Sequence, residues 1–397
     1  GAVIGKGAGI FVTGSATIKG GRIENNKAGL EGGVCKGLGG AVYVDAGAFR
    51  MTSAATVVPS AAPDAQTVGF NDVYLKTGSV IEYERSSLRT DALARITPES
   101  FVSGTPLVKG LGSYELEAAD AARFTVTEDA GDAWTLKHSP HARALILKVG
   151  VIDGAKPLAW KKLKAAVDTA DAGDTIFVRG TIQATKDAGN FGQIHVTKKI
   201  SIEGEGGPAV LDANGEAGGK PAHRIFVVKN GATLTLENLT LTGGRDESTD
   251  GGGAVLANGN LIITDCNITD NQTGANGGGI YAGGALTMTE CEVTYNTVDS
   301  DALGGGGIYI HTDTSGNPVT RTMTNCTVSH NTAKKGNGGG IYAADNLTIT
   351  GGSLENNTVG NASGGNGGGI YVEGSTLTVK NNCSITGNKA ISNGNGG

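Results

Sequence analysis

Through the C-terminal part of the chain, apolar and polar residues alternate in very short runs, as in Ile280-Tyr281-Ala282, Leu286-Thr287-Met288 and Cys291-Glu292-Val293. Each run has the pattern of a short strand with one buried face. Glycine clusters separate the runs. Aligning the residue that follows each Gly-Gly-Gly block gives Ala254, Ile280, Ile308, Ile341 and Ile370, at steps of 26, 28, 33 and 29 residues. Such variable steps suit a solenoid with loop insertions, whereas a propeller blade needs more residues and four strands per unit. Three short strands per unit, turned by glycine corners, predict a triangular coil with neighbours stacked in parallel at roughly 4.8 Å. Chain chirality makes the product a right-handed parallel β-helix, an all-β solenoid of the pectate-lyase-like type.

A second register confirms the coil. Ile268-x-x-Asn271, Val293-x-x-Asn296, Val328-x-x-Asn331, Leu354-x-x-Asn357 and Ile385-x-x-Asn388 recur at one place in every unit. The apolar member fills the core, and the asparagine is expected to turn inward at a corner and bond to backbone and to the asparagines above and below. Cys266, Cys291, Cys326 and Cys383 each stand two residues before the Ile or Val, with Gly352 in that place in the coil between. They read as stacked, free, buried thiols. Cys35 belongs to no such stack, and no CxxC pair or Cys/His spacing of a zinc site occurs.

The same grammar appears near the N-terminus in Gly9-Ile10-Phe11-Val12, Ile23-x-x-Asn26 and Gly39-Gly40-Ala41-Val42. Residues 1–56 therefore read as the end of a first β-helix, and residues 57–156 as a β-rich connecting module that opens on a linker holding Pro59 and Pro63. Residues 157–397 read as a capping helix followed by a second β-helix. Trp160, Leu163, Val167 and Ala170 form one apolar helical face after Pro157, suited to covering an otherwise open first coil. The chain starts and stops inside repeat grammar, so it reads as a piece of a longer protein.

Composition narrows the class. With 67 glycines but only 9 prolines and no Gly-X-Y period, the chain is not collagen, and 38% apolar residues argue against disorder. A net charge of −6 with no basic stripe argues against nucleic-acid binding. No apolar run is long enough to span a bilayer. Charged residues gather in loops: Arg245, Asp246, Glu247 and Asp250 in one, Asp299 and Asp301 in a second, and His311, Asp313 and Arg321 around a third. An enzyme would need such groups opposed across one groove, but loop charges are usually solvated, and no catalytic residue, cofactor or metal site is assigned. His195 alternates with Ile194 and Val196 and is expected on the outer face. The glycine blocks lack the aspartate of a calcium β-roll and the Gly-Lys-Ser/Thr of a phosphate loop.

Two outward patterns remain. Thr233, Thr235, Thr240, Thr242, Thr287, Thr289 and Thr294 are ordinary outward β residues or a flat ladder for ice or glycan. Tyr281, Tyr309, Tyr342 and Tyr371 follow the Ile in successive coils and are expected as an exposed stripe, either bracing the sheet or forming a contact platform.

The pairing of Gly-Gly-[Gly/Ala]-Ile/Val with apolar-x-x-Asn resembles the repeats of chlamydial polymorphic outer-membrane proteins, whose motifs are GGAI and FxxN, and those of large surface proteins of other bacteria, including spirochaetes. The motifs cover residues 1–56 and 230–397, with Ile, Val or Leu where that family often has Phe. The resemblance implies a non-enzymatic stalk or adhesin at the bacterial cell surface or outside the cell. Its partners would be a host-cell or matrix protein, a glycan, or further copies joined end to end. A polysaccharide lyase or hydrolase and a self-assembling sheath subunit are the alternatives the fold allows.

Overall fold

The structure, a computed structural model, describes residues 5–31, 34–35, 37–52, 55–58, 72–85, 93–101, 104–127, 134–139, 142–215, 222–299, 304–312, 319–361 and 365–392. The chain divides into two compact units, Gly1–Gly150 and Val151–Gly397.

The second unit is a right-handed parallel β-helix. One coil shows its construction: Val255–Ala257, Asn260–Thr264, Asn267–Thr269 and Gln272–Thr273 lie on four successive walls before the chain enters the next coil. Stacked, these walls hold seven, nine, eight and six parallel strands. Three strands per coil were expected; the fourth wall is the difference. Its strands in the coils 272–273, 297–298 and 332–333 are two residues long, too short to show an alternation in sequence.

Each glycine of a block has its own reason. Gly277 adopts a left-handed conformation (φ 73°), which a side chain resists. A Cβ on Gly278 would fall 2.1 Å from the Gly306 carbonyl oxygen of the next coil, and one on Gly279 would press within 3.1 Å of Asn296 Cγ. The third place alone accepts a methyl group. Val255 pairs with Ile280, so Ala254 occupies the third glycine's place rather than the strand's first, and the first step is 25 residues, not 26.

The corner between the third and fourth walls carries the asparagines. Asn271, Asn296, Asn331 and Asn357 are almost fully buried. Asn296 Nδ2 donates to Asn331 Oδ1 at 3.0 Å and to the Ile268 carbonyl of the previous coil at 2.8 Å, and the Asn296 backbone N–H donates to the same Asn331 oxygen at 3.0 Å. Asn271, Asn331 and Asn357 repeat these bonds, and Asn388 completes the run by accepting from Asn357 and donating to Leu354 O. Both amide N–H bonds and the amide oxygen are thereby satisfied away from water. The residue before each asparagine is left-handed, from Asp270 (φ 57°) to Gly387 (φ 64°).

At the preceding corner Cys266, Cys291 and Cys326 are buried and unpaired, and each thiol donates to the Thr carbonyl two residues back, at 3.1, 3.1 and 3.3 Å. Burial pushes the Cys266 thiol up to about 12. Cys383 is half-buried.

A helix, α1 (Ala159–Thr169), precedes the regular coils and packs on strands 151–153, 181–183 and 194–196. It buries Trp160, Leu163 and Val167, and Trp160 Nε1 donates to the Gly192 carbonyl at 2.9 Å.

The first unit stacks Ile10–Val12, Val42–Val44, Val73–Leu75, Ala94–Pro98 and Phe124–Val126 in parallel along one wall. Its coils thus continue past residue 56 into the segment read as a connecting module. The repeat is hidden there because Asp72 stands where the preceding coil has Ala41. Its buried carboxylate accepts from Gly40 N and Thr97 Oγ1, both at 2.6 Å. A second wall runs Ser15–Ile18, Ala48–Met51, Val80–Tyr83 and Pro106–Gly110 in parallel, then takes Ala144–Val149 and Trp134–Ser139 in antiparallel pairing. That hairpin covers the open edge of the wall. Cys35 lies in a short hairpin between Leu30–Glu31 and Val34–Cys35. Pro59 and Pro63 lie outside the described residues.

Candidate functional site

Strand pairing on the first wall of the second unit puts one outward residue per coil into a row: His195, Val227, Leu256, Tyr281, Tyr309, Tyr342 and Tyr371. Tyr281, Tyr309 and Tyr342 stack ring on ring, with centroids 5.3 and 4.9 Å apart, and Tyr371 lies tilted against Tyr342 at 5.1 Å. They are not an exposed platform. Tyr309 is 3% and Tyr342 1% exposed, because each ring is covered by its neighbours, by His311 over Tyr281 and Tyr309, and by Glu373, which accepts from the Tyr342 hydroxyl. Burial, with smaller contributions from Tyr281 and Glu373, pushes the Tyr309 phenol up to about 12. Tyr281 and Tyr371 stay half-buried.

Where the row changes from tyrosine to the shorter Val227 and Leu256, the wall has a recess two coils wide, roughly 10 Å. Tyr281 closes one end. Asn258 and Lys229, which leave their strands at the corner, form one side, and Thr249, Asp250 and Asn276 from the loops form the other, with Gln193 and Arg224 completing the lining. The recess holds about 370 Å³, within the range of small-ligand pockets. Arg224 is 3% exposed and fixed by Asp246 at 2.5 Å and by Ser248 Oγ at 3.0 Å, while Ser248 in turn donates to Asp246 at 2.8 Å. Arg224 Nε has no hydrogen-bond partner among the described residues. Partial shielding from water, then the nearby Lys229 and Lys164 ammoniums, hold His195 below the usual imidazole range. Burial and the Asp250 carboxylate raise the Tyr281 phenol.

The charged loop residues are mostly braced rather than solvated. Asp246 is the buried partner of Arg224, and Arg245 faces Glu247 at 3.6 Å. Asp299 accepts from Lys334 and Gln272. Arg321 occupies the core place held by Leu286 one coil earlier and is tied to Asp345 at 2.8 Å and to the Gly283 and His311 carbonyls. Only Asp250 of these carboxylates reaches the recess. Asp301 and Asp313 lie outside the described residues. His195 is exposed beside Gln193 at 3.3 Å. The threonines align across coils as Thr235, Ile262, Thr287, Thr322, Thr348 and Thr378, a row broken by Ile262.

The recess has no linear motif. Val227, Leu256 and Tyr281 are adjacent only once the coil register is known, and the only hint in sequence is the loss of Tyr from the row.

A family model described as a right handed beta helix region matches residues 222–397. Match and architecture together define a parallel β-helix repeat protein. No curated protein and no solved structure matches the chain.

Proposed function

We propose that the chain is a non-catalytic stalk of a bacterial surface or secreted protein, a stiff support that holds an adhesive contact away from its anchor. The observation that supports this most is the asparagine ladder. It runs from Asn271 to Asn388 with every step bonded to the coils on both sides, so coils cannot shift register singly. Ion pairs such as Arg224 with Asp246 and Arg321 with Asp345 brace coils in the same way. The GGAI-like and FxxN-like grammar points to the surface-protein type of β-helix, with a host-cell or matrix protein, or a glycan, as partner. The test is limited proteolysis of the folded chain followed by mass mapping. No cut is expected within residues 255–299, 304–312 or 319–359. Cleavage within those coils at the rate of the unfolded chain would contradict a stiff support, and release of reducing or unsaturated ends from a polysaccharide panel would contradict the non-catalytic reading.

A further inference from the structure

We infer that the recess over Val227 and Leu256, closed at one end by Tyr281, is a binding site for a neutral sugar residue, the terminal unit of an uncharged oligosaccharide. This stands whether or not the chain is a stalk, since it rests on the recess alone. Three features converge on that ligand. The formal charges cancel: Arg224 is matched by Asp246, and Lys229 faces a recess that also holds Asp250, so neither a phosphate nor a carboxylate gains a net field. The lining mixes donors with acceptors, the Lys229 ammonium and the side-chain amides of Gln193 and Asn258 with the Asp250 carboxylate. Hydroxyl groups, which donate and accept at once, satisfy such a set, whereas an anion could only accept. Tyr281 supplies the single aromatic face, with its ring backed by Tyr309 at 5.3 Å and thus fixed for stacking on the C–H face of a sugar ring.

The site is preorganised on both sides. Arg224 is held by Asp246 and Ser248, and that brace fixes the loop that carries Asp250. Lys229 and Asn258 follow directly on strands 226–228 and 255–257.

The test is isothermal titration calorimetry of the full chain with cellotriose, maltotriose, xylotriose, mannotriose and chitotriose, with trigalacturonate and inorganic phosphate beside them. One or more neutral trisaccharides are expected to bind with Kd at or below about 1 mM. Asn258→Ala and Lys229→Ala, both exposed, are expected to weaken it about tenfold with unchanged melting. Binding of trigalacturonate or phosphate in place of the neutral sugars overturns the assignment. So does the absence of binding by all five neutral sugars, or binding that both variants leave untouched. Tyr281→Phe should retain affinity within about threefold, because the ring face and not the hydroxyl makes the contact; loss of affinity in that variant with melting unchanged would overturn the stacking geometry.

Discussion

In the second unit each coil hands its corner to the next through an asparagine, whereas the first unit meets the same need with single, dissimilar groups. Asn26 follows a left-handed Asn25 as the ladder asparagines follow theirs, and its amide donates to the Glu24 carbonyl as that of Asn271 does to Thr269. Further on, Asp72 gathers Gly40 and Thr97, and the charged pairs Arg50 with Glu82 and Lys76 with Asp45 cross between coils. Both units share the aromatic row: Phe11, Tyr43 and Tyr74 stack at 5.2 and 5.0 Å as Tyr281, Tyr309 and Tyr342 do. A stripe that recurs in both, with Tyr43, Tyr74, Tyr309 and Tyr342 buried within it, is a brace of the wall. What distinguishes the second unit is that its bonds repeat identically, so loss of one is felt by coils on either side. Exposed ion pairs like those of the first unit contribute little to stability.

The sharpest break of that comparison is steric. Gly278→Ala drives a methyl group against a carbonyl of the next coil and is expected to lower stability by more than about 4 kcal/mol. Gly231→Ala, left-handed but facing open space, should cost only about 1–2 kcal/mol. Equal shifts in their urea midpoints would show that backbone conformation, not coil spacing, governs the glycines. Next in size is Asn331→Ala, which strands donors and acceptors on two coils and should cost about 3–5 kcal/mol. Asp72→Ala leaves Gly40 N and Thr97 Oγ1 seeking partners, a loss of about 2–3 kcal/mol confined to the first unit. A ladder variant no more costly than the Asp72 variant would remove the distinction between the units.

Smaller effects sharpen it. In the folded chain Cys266, Cys291 and Cys326 should resist a thiol reagent while half-buried Cys383 reacts, readable by mass mapping after a short exposure. Early labelling of Cys291 would place the thiol stack outside the core. The tyrosine row predicts a modest alkaline dependence. Because the folded Tyr309 value is raised above the ordinary one near 10, its contribution is complete below pH 10 and fades as pH climbs through about 12. Phenolate absorbance of the native chain should therefore still be rising well above pH 10, where Tyr309 ionises. A single stage near 10 would mean that the row is open to water.

Much of the second unit was legible because its corners demand particular residues: a left-handed glycine, a glycine with no room for a side chain, a third place that takes nothing larger than a methyl group, and an amide that both donates and accepts. The coils after residue 56 escaped notice because Asp72 does with a carboxylate what glycine grammar does elsewhere. The fourth wall is too short for periodicity to register. Outward position on a strand was read as exposure for Tyr309 and Tyr342, but loops and neighbouring rings from other coils cover them, and no single-coil pattern encodes that cover. Arg321 was misread for the same reason: a core register place, not its loop-like surroundings, determines its burial. The recess depends on Val227 and Leu256 being shorter than the tyrosines beyond them, a contrast that appears only across coils.

Native-state hydrogen exchange on the full chain tests the ladder most directly. The backbone amides of Asn271, Asn296, Asn331 and Asn357, each donating to the next ladder oxygen at 2.9–3.1 Å, are expected to exchange together and only through global opening of the second unit. In Asn331→Ala the amides of Asn296 and Asn357 should accelerate with it. Exchange of these amides at the rate of exposed loops, or acceleration confined to residue 331, would contradict a ladder that ties the coils into one cooperative stack.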